Sequence, residues 1–167
     1  ALSSTLNYQR VLEMALDLSS NTLSQMNAPA VKMRSAALLF VKVDNDVTEL
    51  QISKNRGFLP QDVRTNLPGT SGLLGKAIET GQSQASKDIS TDPELSRFVA
   101  LHGFRSAYCI PLRAGLDTYG ILFFSHPDAE FFSEDRVEIL DIVGNQAMVA
   151  LQNARLYQDL AQEKNRL

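Results

Sequence analysis

The hydrophobic pattern predicts a long helix at each end of the chain. From Ser4 to Met26, apolar residues recur every three or four positions, as they do on the buried face of an amphipathic helix. The turn-forming Asn27-Ala28-Pro29 is expected to end this helix. A second helix is predicted to begin after Ser133, whose hydroxyl can cap it, because Glu134 and Asp135 then lie at the positive end of the helix dipole. We expect this second helix to run to the end of the chain.

Two hairpins are predicted between these helices. The stretch from Ala36 to Val41 is apolar at every position, which indicates a central strand buried on both faces. Val47 to Ser53 alternates between apolar and polar residues, and the intervening Asp44-Asn45-Asp46 is typical of a turn. Ser106 to Leu112 and Thr118 to His126 are rich in apolar, aromatic and β-branched residues, and they predict a second antiparallel hairpin.

The stretch between the two hairpins predicts a looped segment with short helices. Thr70-Ser71-Gly72 leads into an apolar stripe at helical spacing, and the resulting helix is expected to stop at Gly81. Pro93 is expected to open another short helix that runs to about His102. The order of these elements predicts an α+β fold in which a central sheet is layered between helices.

The charge and the cysteine content exclude several classes of function. A formal net charge of -3, without a cluster of Lys and Arg, argues against a nucleic-acid partner. Cys109 is the single cysteine, so no intramolecular disulfide can form, and a reducing compartment, the cytoplasm, is expected. The longest apolar run, Ala36 to Val41, is too short to span a bilayer, so we expect no direct membrane contact.

Several segments, taken in their order and spacing, carry a family resemblance. They are Gly69 to Gly81, Lys87-Asp88-Ile89 with Asp92-Pro93, Phe104 to Leu112, Tyr119 to Leu122, and Phe132 to Leu140. From roughly Asn7 to Asn153 the chain resembles a GAF domain of a bacterial-type signal-transduction protein such as a sensor histidine kinase. The resemblance implies an antiparallel sheet of about six strands with helices on both faces, similar to GAF and PAS domains. It also implies a sensory domain over residues 1–153 and the start of a signalling helix over residues 154–167.

The resemblance further implies a pocket between one sheet face and the segment from Arg56 to Arg105. This arrangement suits a ligand site, because loops and short helices rearrange at small cost over a rigid sheet. An unknown small molecule is the expected ligand, with no cofactor and no metal. The candidate ligand-binding residues share polar or charged side chains. Those expected from the segment above the pocket are Ser71, Lys87, Asp88, Arg97, His102 and Arg105, and those expected from the strand that forms its floor are Ser106 and Tyr108.

Catalytic chemistry is not predicted. Relatives of GAF domains use cysteines for chromophore attachment or for methionine sulfoxide reduction, but a lone Cys109 within an apolar strand has no resolving partner and is expected to be a structural thiol. His102 and His126 have no metal-binding spacing, and no nucleophile with an adjacent base is evident. The cyclic-nucleotide branch of the family has an Asn-Lys pair and a Phe-x-x-x-Asp-Glu motif. Here Phe131 is followed by Asp135-Arg136, which departs from that pattern.

The C-terminal helix predicts a parallel homodimer. Its apolar residues follow a heptad spacing in which a polar residue fixes the register, as in coiled coils. The predicted dimer residues are Ile142, Val149, Asn153, Leu156, Leu160 and Leu167. Together these features predict a small-molecule-sensing domain that signals through its terminal helices to a downstream effector domain in the same polypeptide. The alternatives are a ligand-free dimerisation and spacer module and, second, a cyclic-nucleotide-binding domain.

Overall fold

Long helices lie at both ends of the molecule, as the pattern predicts. The structure, a computed structural model, describes residues 2–26 and 32–166, with side chains described for residues 9–26 and 32–154. Helix α1 covers Leu2–Gln25 and the final helix, α4, covers Glu134–Arg166. The predicted helix stop at Asn27-Ala28-Pro29 lies outside the described residues.

Between these helices the described chain forms one antiparallel sheet of five strands, close to the number expected. The strands are β1 (Arg34–Asp44), β2 (Val47–Arg56), β3 (Gln84–Ser86), β4 (Ser106–Ala114) and β5 (Asp117–His126). Their order in the sheet is β2-β1-β5-β4-β3, so both predicted hairpins are present and β1 pairs with β5 at the centre. The short edge strand β3 has no hydrophobic signal of its own and was not predicted.

One face of the sheet packs against α1 and α4. Strand residues at alternate positions join both helices in one apolar cluster, because successive side chains of a strand point to opposite faces. The fully buried members include Leu12 and Leu16 of α1, Leu122 of β5 and Leu140 of α4. The two helices therefore rest directly on the sheet and on each other.

The other face is covered by residues 57–105, here called the lid segment, apart from residues 84–86 of this segment, which form the edge strand β3. It contains helices α2 (Pro60–Val63) and α3 (Gly72–Thr80), and α3 ends at Gly81, whose φ of 66° is the left-handed conformation that favours glycine at a helix end. The single helix predicted from Pro93 to about His102 is wrong. Two 3₁₀ turns, Leu95–Arg97 and Val99–Leu101, stand in its place, separated by the extended backbone of Phe98. That extended residue lets the Phe98 side chain point into the core.

No helix in the described part of the chain combines the length and the apolar content that crossing a bilayer demands.

Candidate functional site

Strand β4 presents Ala107 and Cys109 to the lid segment, because both belong to the apolar cluster on that face. Tyr108 belongs to the opposite cluster with α1 and α4, and alternation places Ser106 on the same side as Tyr108. The Ser106 hydroxyl donates to the carbonyl oxygen of Asp128 at 2.7 Å. This corrects the expectation that Ser106 and Tyr108 form the floor of a lid pocket. Since every residue from Ala107 to Leu112 is buried, no alternation of apolar and polar residues indicates which side chains of β4 face the lid segment.

The sheet face beneath the lid is filled by aromatic side chains. Phe58 packs edge-to-face on Phe98, with ring centroids 5.4 Å apart, and also meets Phe123 of β5 at 6.4 Å. Phe98 and Phe123 are fully buried. Aromatic pairs in this geometry add stability beyond the area they bury. The cupped pocket expected on this part of the sheet is therefore occupied by the chain's own side chains.

A cavity of about 250 Å³ lies instead at the rim of the lid segment, between the turn after β3 and the loop before β4. Apolar side chains form much of its wall, and two serines, a histidine and an arginine add polar groups. The lining residues are Ile89, Ser90, Leu95, Ser96, Leu101, His102, Gly103, Phe104 and Arg105. Of the predicted ligand-binding residues, the structure brings His102 and Arg105 together here.

The other predicted residues of the lid segment are exposed and lie outside this lining. Lys87 forms an ion pair with Glu130 at 3.0 Å, and Arg97 lies in the first 3₁₀ turn. The Ser71 hydroxyl donates to Glu94 at 2.8 Å. Asp88 accepts hydrogen bonds from the amide and the hydroxyl of Ser90, and these bonds lower the pKa of its carboxyl group, with a smaller contribution from Arg105.

A buried carboxylate, which the sequence analysis did not identify, holds the start of α3. Glu94 is 1% exposed, and its two oxygens accept hydrogen bonds from the amides of Gly69, Thr70 and Ser71 and from the Ser71 hydroxyl, at 2.6 to 2.9 Å. Amides converging before a helix form a natural anion-binding nest. Here an internal carboxylate fills that nest, so the Gly69–Ser71 loop is satisfied without a ligand.

Asp62 and Asp92 bind backbone amides of the lid segment in the same way. Asp92 accepts from the amide of Leu73, and its carboxylate occupies the space where a side chain on Gly72 would lie, which explains why glycine with a φ of 65° stands there. Asp62 is fully buried and accepts from the amides of Val99 and Ala100, across the lid. A sequence signal exists only for Asp92, since Asp before Pro is typical of a turn. These carboxylates fix the lid segment to itself.

Asp141 of α4 connects three parts of the molecule. Its Oδ1 accepts a hydrogen bond of 2.6 Å from the Tyr108 hydroxyl and one of 3.3 Å from the hydroxyl of Ser83, which lies between α3 and β3. Burial, followed by the bond to Asp141, raises the pKa of Tyr108 to about 12. The lid segment, the sheet and the C-terminal helix therefore meet at one carboxylate.

Cys109 lies in the middle of β4 and is fully buried. Burial raises the pKa of its thiol well above the ordinary value, with a further contribution from the negative charge of Asp92. Thiolate is the reactive form of cysteine, so these surroundings suppress nucleophilic chemistry. Among the described residues, no group of His, Cys, Asp and Glu has the arrangement of a metal site.

An apolar surface remains uncovered where α1 and α4 pack side by side. Met14 and Leu18 of α1 are 61% and 46% exposed, and Ile142 and Val149 of α4 are 54% and 58% exposed. A groove of about 260 Å³ runs between the helices and is lined by Val11, Met14, Ala15, Leu18, Val143, Gln146, Ala147 and Ala150. Asn153 is exposed, whereas the side chains of Leu156, Leu160 and Leu167 lie outside the described residues.

Solved structures share this fold. A domain of a putative two-component sensor histidine kinase from Sinorhizobium meliloti superposes with a TM-score of 0.65 at 15% identity, covering 92% of this chain and 96% of that one. A type II free methionine-R-sulfoxide reductase from Thermoplasma acidophilum gives a TM-score of 0.61 at 13% identity, covering 86% of this chain and 96% of that one. At these identities the likeness establishes the fold alone.

Sequence comparison identifies the family. An uncharacterized sensor-like histidine kinase from Chloroflexus aurantiacus is 31% identical over 166 residues, which cover 99% of this chain but only 26% of that kinase. The model of the GAF domain family matches residues 15–152, from the middle of α1 to α4. The chain therefore belongs to the GAF domain family.

Proposed function

We propose that this GAF domain is a regulatory sensor that binds a small molecule in the rim cavity and transmits its occupancy through α4 to an effector domain of the same polypeptide. The bridge at Asp141 is the observation that carries the proposal. Ser83 belongs to the lid segment, Tyr108 to the sheet and Asp141 to the helix that continues towards the C-terminus. A shift of the lid segment is thus mechanically connected to α4.

The rim cavity supplies the ligand site in this proposal. Its volume of about 250 Å³ is below the roughly 300 to 1,000 Å³ of pockets for drug-sized ligands. This size favours a small metabolite over a cyclic nucleotide. Because a ligand shifts an equilibrium only by its differential affinity for two states, the ligand must contact groups that move with the lid, and the whole lining belongs to that segment.

The proposed output requires a partner for the apolar surface of α1 and α4. A second copy of the chain is the proposed partner, because the exposed Ile142 and Val149 are seven residues apart, as in a coiled-coil seam. Related kinases provide a candidate effector, since the chain spans about a quarter of the Chloroflexus kinase. The cytoplasm, where the single Cys109 stays reduced, is the proposed location.

A thermal-stability screen of this chain against amino acids, nucleotides and short organic acids tests the proposal. A compound at about 100 times its Kd should stabilise the fold by roughly 2.7 kcal/mol. Amide hydrogen exchange should then slow in α4 as well as in the lid segment. In the Asp141→Asn variant, the change in α4 should shrink while binding at the rim persists. Exchange in α4 that never responds to a bound compound would contradict transmission.

A second candidate function is a ligand-free dimerisation and spacer module. The aromatic packing of Phe58, Phe98 and Phe123 favours it, because the sheet face beneath the lid is already filled. This candidate predicts that no compound in the screen changes stability, while the dimer forms without ligand. Any saturable stabilisation that is lost on filling the rim cavity, for example in Ser96→Trp, would reject it.

A further inference from the structure

The rim cavity combines an exposed arginine with an apolar wall. Arg105 is held on both sides of its backbone: its amide donates to the carbonyl oxygen of His126 at 3.1 Å, and its carbonyl oxygen accepts from the amide of Ile89 at 2.9 Å. The Arg105 side chain is exposed and forms no ion pair with a residue described in the structure. Its guanidinium donors are therefore available to a ligand, on a side chain that projects from a fixed backbone position in the lining.

Other polar groups of the lining are donors or neutral. His102 Nε2 lies 3.2 Å from the carbonyl oxygen of Ser96, so the histidine ring is tethered to the opposite part of the lining. Ser90 and Ser96 add hydroxyl groups. Asp92 and Glu94 point elsewhere, because they are bonded to amides of residues 69–73. The Asp88 carboxylate, in contrast, accepts hydrogen bonds from the hydroxyl and the amide of the lining residue Ser90. No carboxylate is among the lining residues, so Arg105 supplies the charge that an entering ligand contacts directly, and Asp88 partly offsets that charge from outside the lining.

The rest of the wall is apolar. Ile89, Leu95 and Leu101 are buried side chains that contribute to the core beneath the cavity, and Phe104 is half-buried beside them. Phe104 is itself held by the Arg34 guanidinium, 5.1 Å from its ring centroid. A ligand that satisfies this lining needs an anionic end for Arg105 and a short apolar body.

We infer that the rim cavity binds a small organic acid, with its carboxylate paired to Arg105 and its hydrocarbon part against Ile89, Leu95, Leu101 and Phe104. Planar guanidinium groups bind carboxylates through paired hydrogen bonds, which gives orientation as well as affinity. This inference rests on the proposed ligand site and specifies its chemistry. It also assigns an opposing role to Asp88, whose negative charge is near enough to Arg105 for the two to interact and weakens the attraction for an anion.

Isovalerate is a suitable probe, because it carries one carboxylate on a short branched chain. Its binding to the ¹⁵N-labelled chain is followed by NMR and calorimetry, beside isovaleramide, which has the same shape without the charge, and inorganic phosphate, which has charge without an apolar body. We expect saturable shifts at the amides of the lining with isovalerate. The amide should bind at least about tenfold more weakly, as expected when a charge-assisted bond is lost.

Substitutions of Arg105 and Asp88 should change the affinity for isovalerate in opposite directions. Arg105→Gln should weaken isovalerate binding by at least about tenfold. Asp88→Asn keeps the acceptor for Ser90 but removes the charge, and it should tighten binding about two- to fivefold, the range of an exposed charge pair. Arg97→Gln, an exposed arginine outside the lining, is the matched control and should change nothing. All these side chains lie on the surface, so thermal unfolding should verify an intact fold.

Several outcomes would overturn the inference. Equal binding of isovaleramide would show that the cavity accepts neutral ligands. The requirement for a carboxylate would then be rejected, and the sensor proposal would be unaffected. Phosphate binding as tight as that of isovalerate would reduce the site to a simple anion site. The absence of saturable shifts with isovalerate, or insensitivity to Arg105→Gln, would reject the organic acid, while the broader ligand screen still decides whether the domain is a sensor.

Discussion

Tyr108 and Asp141 join the central sheet to the C-terminal helix, because the Tyr108 hydroxyl donates a hydrogen bond of 2.6 Å to Oδ1 of Asp141. The tyrosine is buried among the apolar residues of β4, α1 and α4. Here a polar contact with strict geometry adds a preferred register for α4 on the sheet.

The burial of Tyr108, together with this bond, makes stability depend on alkaline pH. Since the pKa of Tyr108 is raised to about 12, above the unfolded value of about 10, the folded state holds the phenolic proton more tightly. The stabilisation is complete below about pH 10 and is lost as the pH rises towards 12. Urea titrations across this range should show a falling free energy of unfolding. In Tyr108→Phe the fall should be smaller. An equal fall in both proteins would assign it to other groups.

The carboxylate of Glu94 should stabilise the lid segment strongly. Glu94→Gln leaves one acceptor oxygen and places an amide donor either against the amide of Gly69 or against those of Thr70 and Ser71. We expect the free energy of unfolding to fall by about 1.5 to 3 kcal/mol, as for lost hydrogen bonds to a charged group. Chemical denaturation measures this change.

Glu79→Gln is the matched control for that variant. Glu79 is exposed on α3, and the same chemical change there should alter stability by no more than about 0.5 kcal/mol. If the two variants were equally stable, the four bonds to Glu94 would contribute nothing net, and the lid segment would be held by its apolar contacts alone.

The sequence predicted most of the architecture, and the reasons are local. The terminal helices carry their own periodicity, and β1 to β2 and β4 to β5 carry turn residues between apolar runs, so each element could be identified from neighbouring residues. Which side chains of β4 face the lid segment and which face the helices could not be predicted, because both faces of this strand are buried. That single ambiguity misplaced Ser106 and Tyr108 on the lid side.

The candidate site was harder to predict, because its groups come from distant positions. Asp62 reaches the amides of Val99 and Ala100, and Glu94 reaches back to Gly69, so no spacing within one element reveals these bonds. His102 and Arg105 were identified by their place in the lid segment. The filling of the sheet face by Phe58 and Phe98 required the tertiary structure, since single aromatic residues in a loop do not indicate where they point.

The exposed apolar residues of α4 should mediate self-association. Val149→Lys places a charge in the predicted seam, and we expect the dimer to dissociate at least about tenfold more readily, because a desolvated charge at an interface costs several times thermal energy. Ile142→Lys should act in the same way. Sedimentation equilibrium measures the dissociation constant.

Leu116→Lys is the control for these two variants. Leu116 is 94% exposed at the turn between β4 and β5, and the same replacement there should leave self-association unchanged. A wild-type chain that remains monomeric at high concentration, or a dimer that tolerates Val149→Lys, would show that this surface has another partner.

The thiol of Cys109 should be inert in the folded protein. Its burial and its raised pKa keep the thiolate scarce, and a reagent such as Ellman's reagent reacts with thiolate alone. At about pH 8, where an ordinary thiol of pKa near 8.5 is partly ionised, labelling should proceed only as fast as the protein opens. The same thiol should react at once in concentrated guanidinium chloride. Rapid labelling of the native chain would show an accessible and reactive thiol, which would contradict a purely structural role for Cys109.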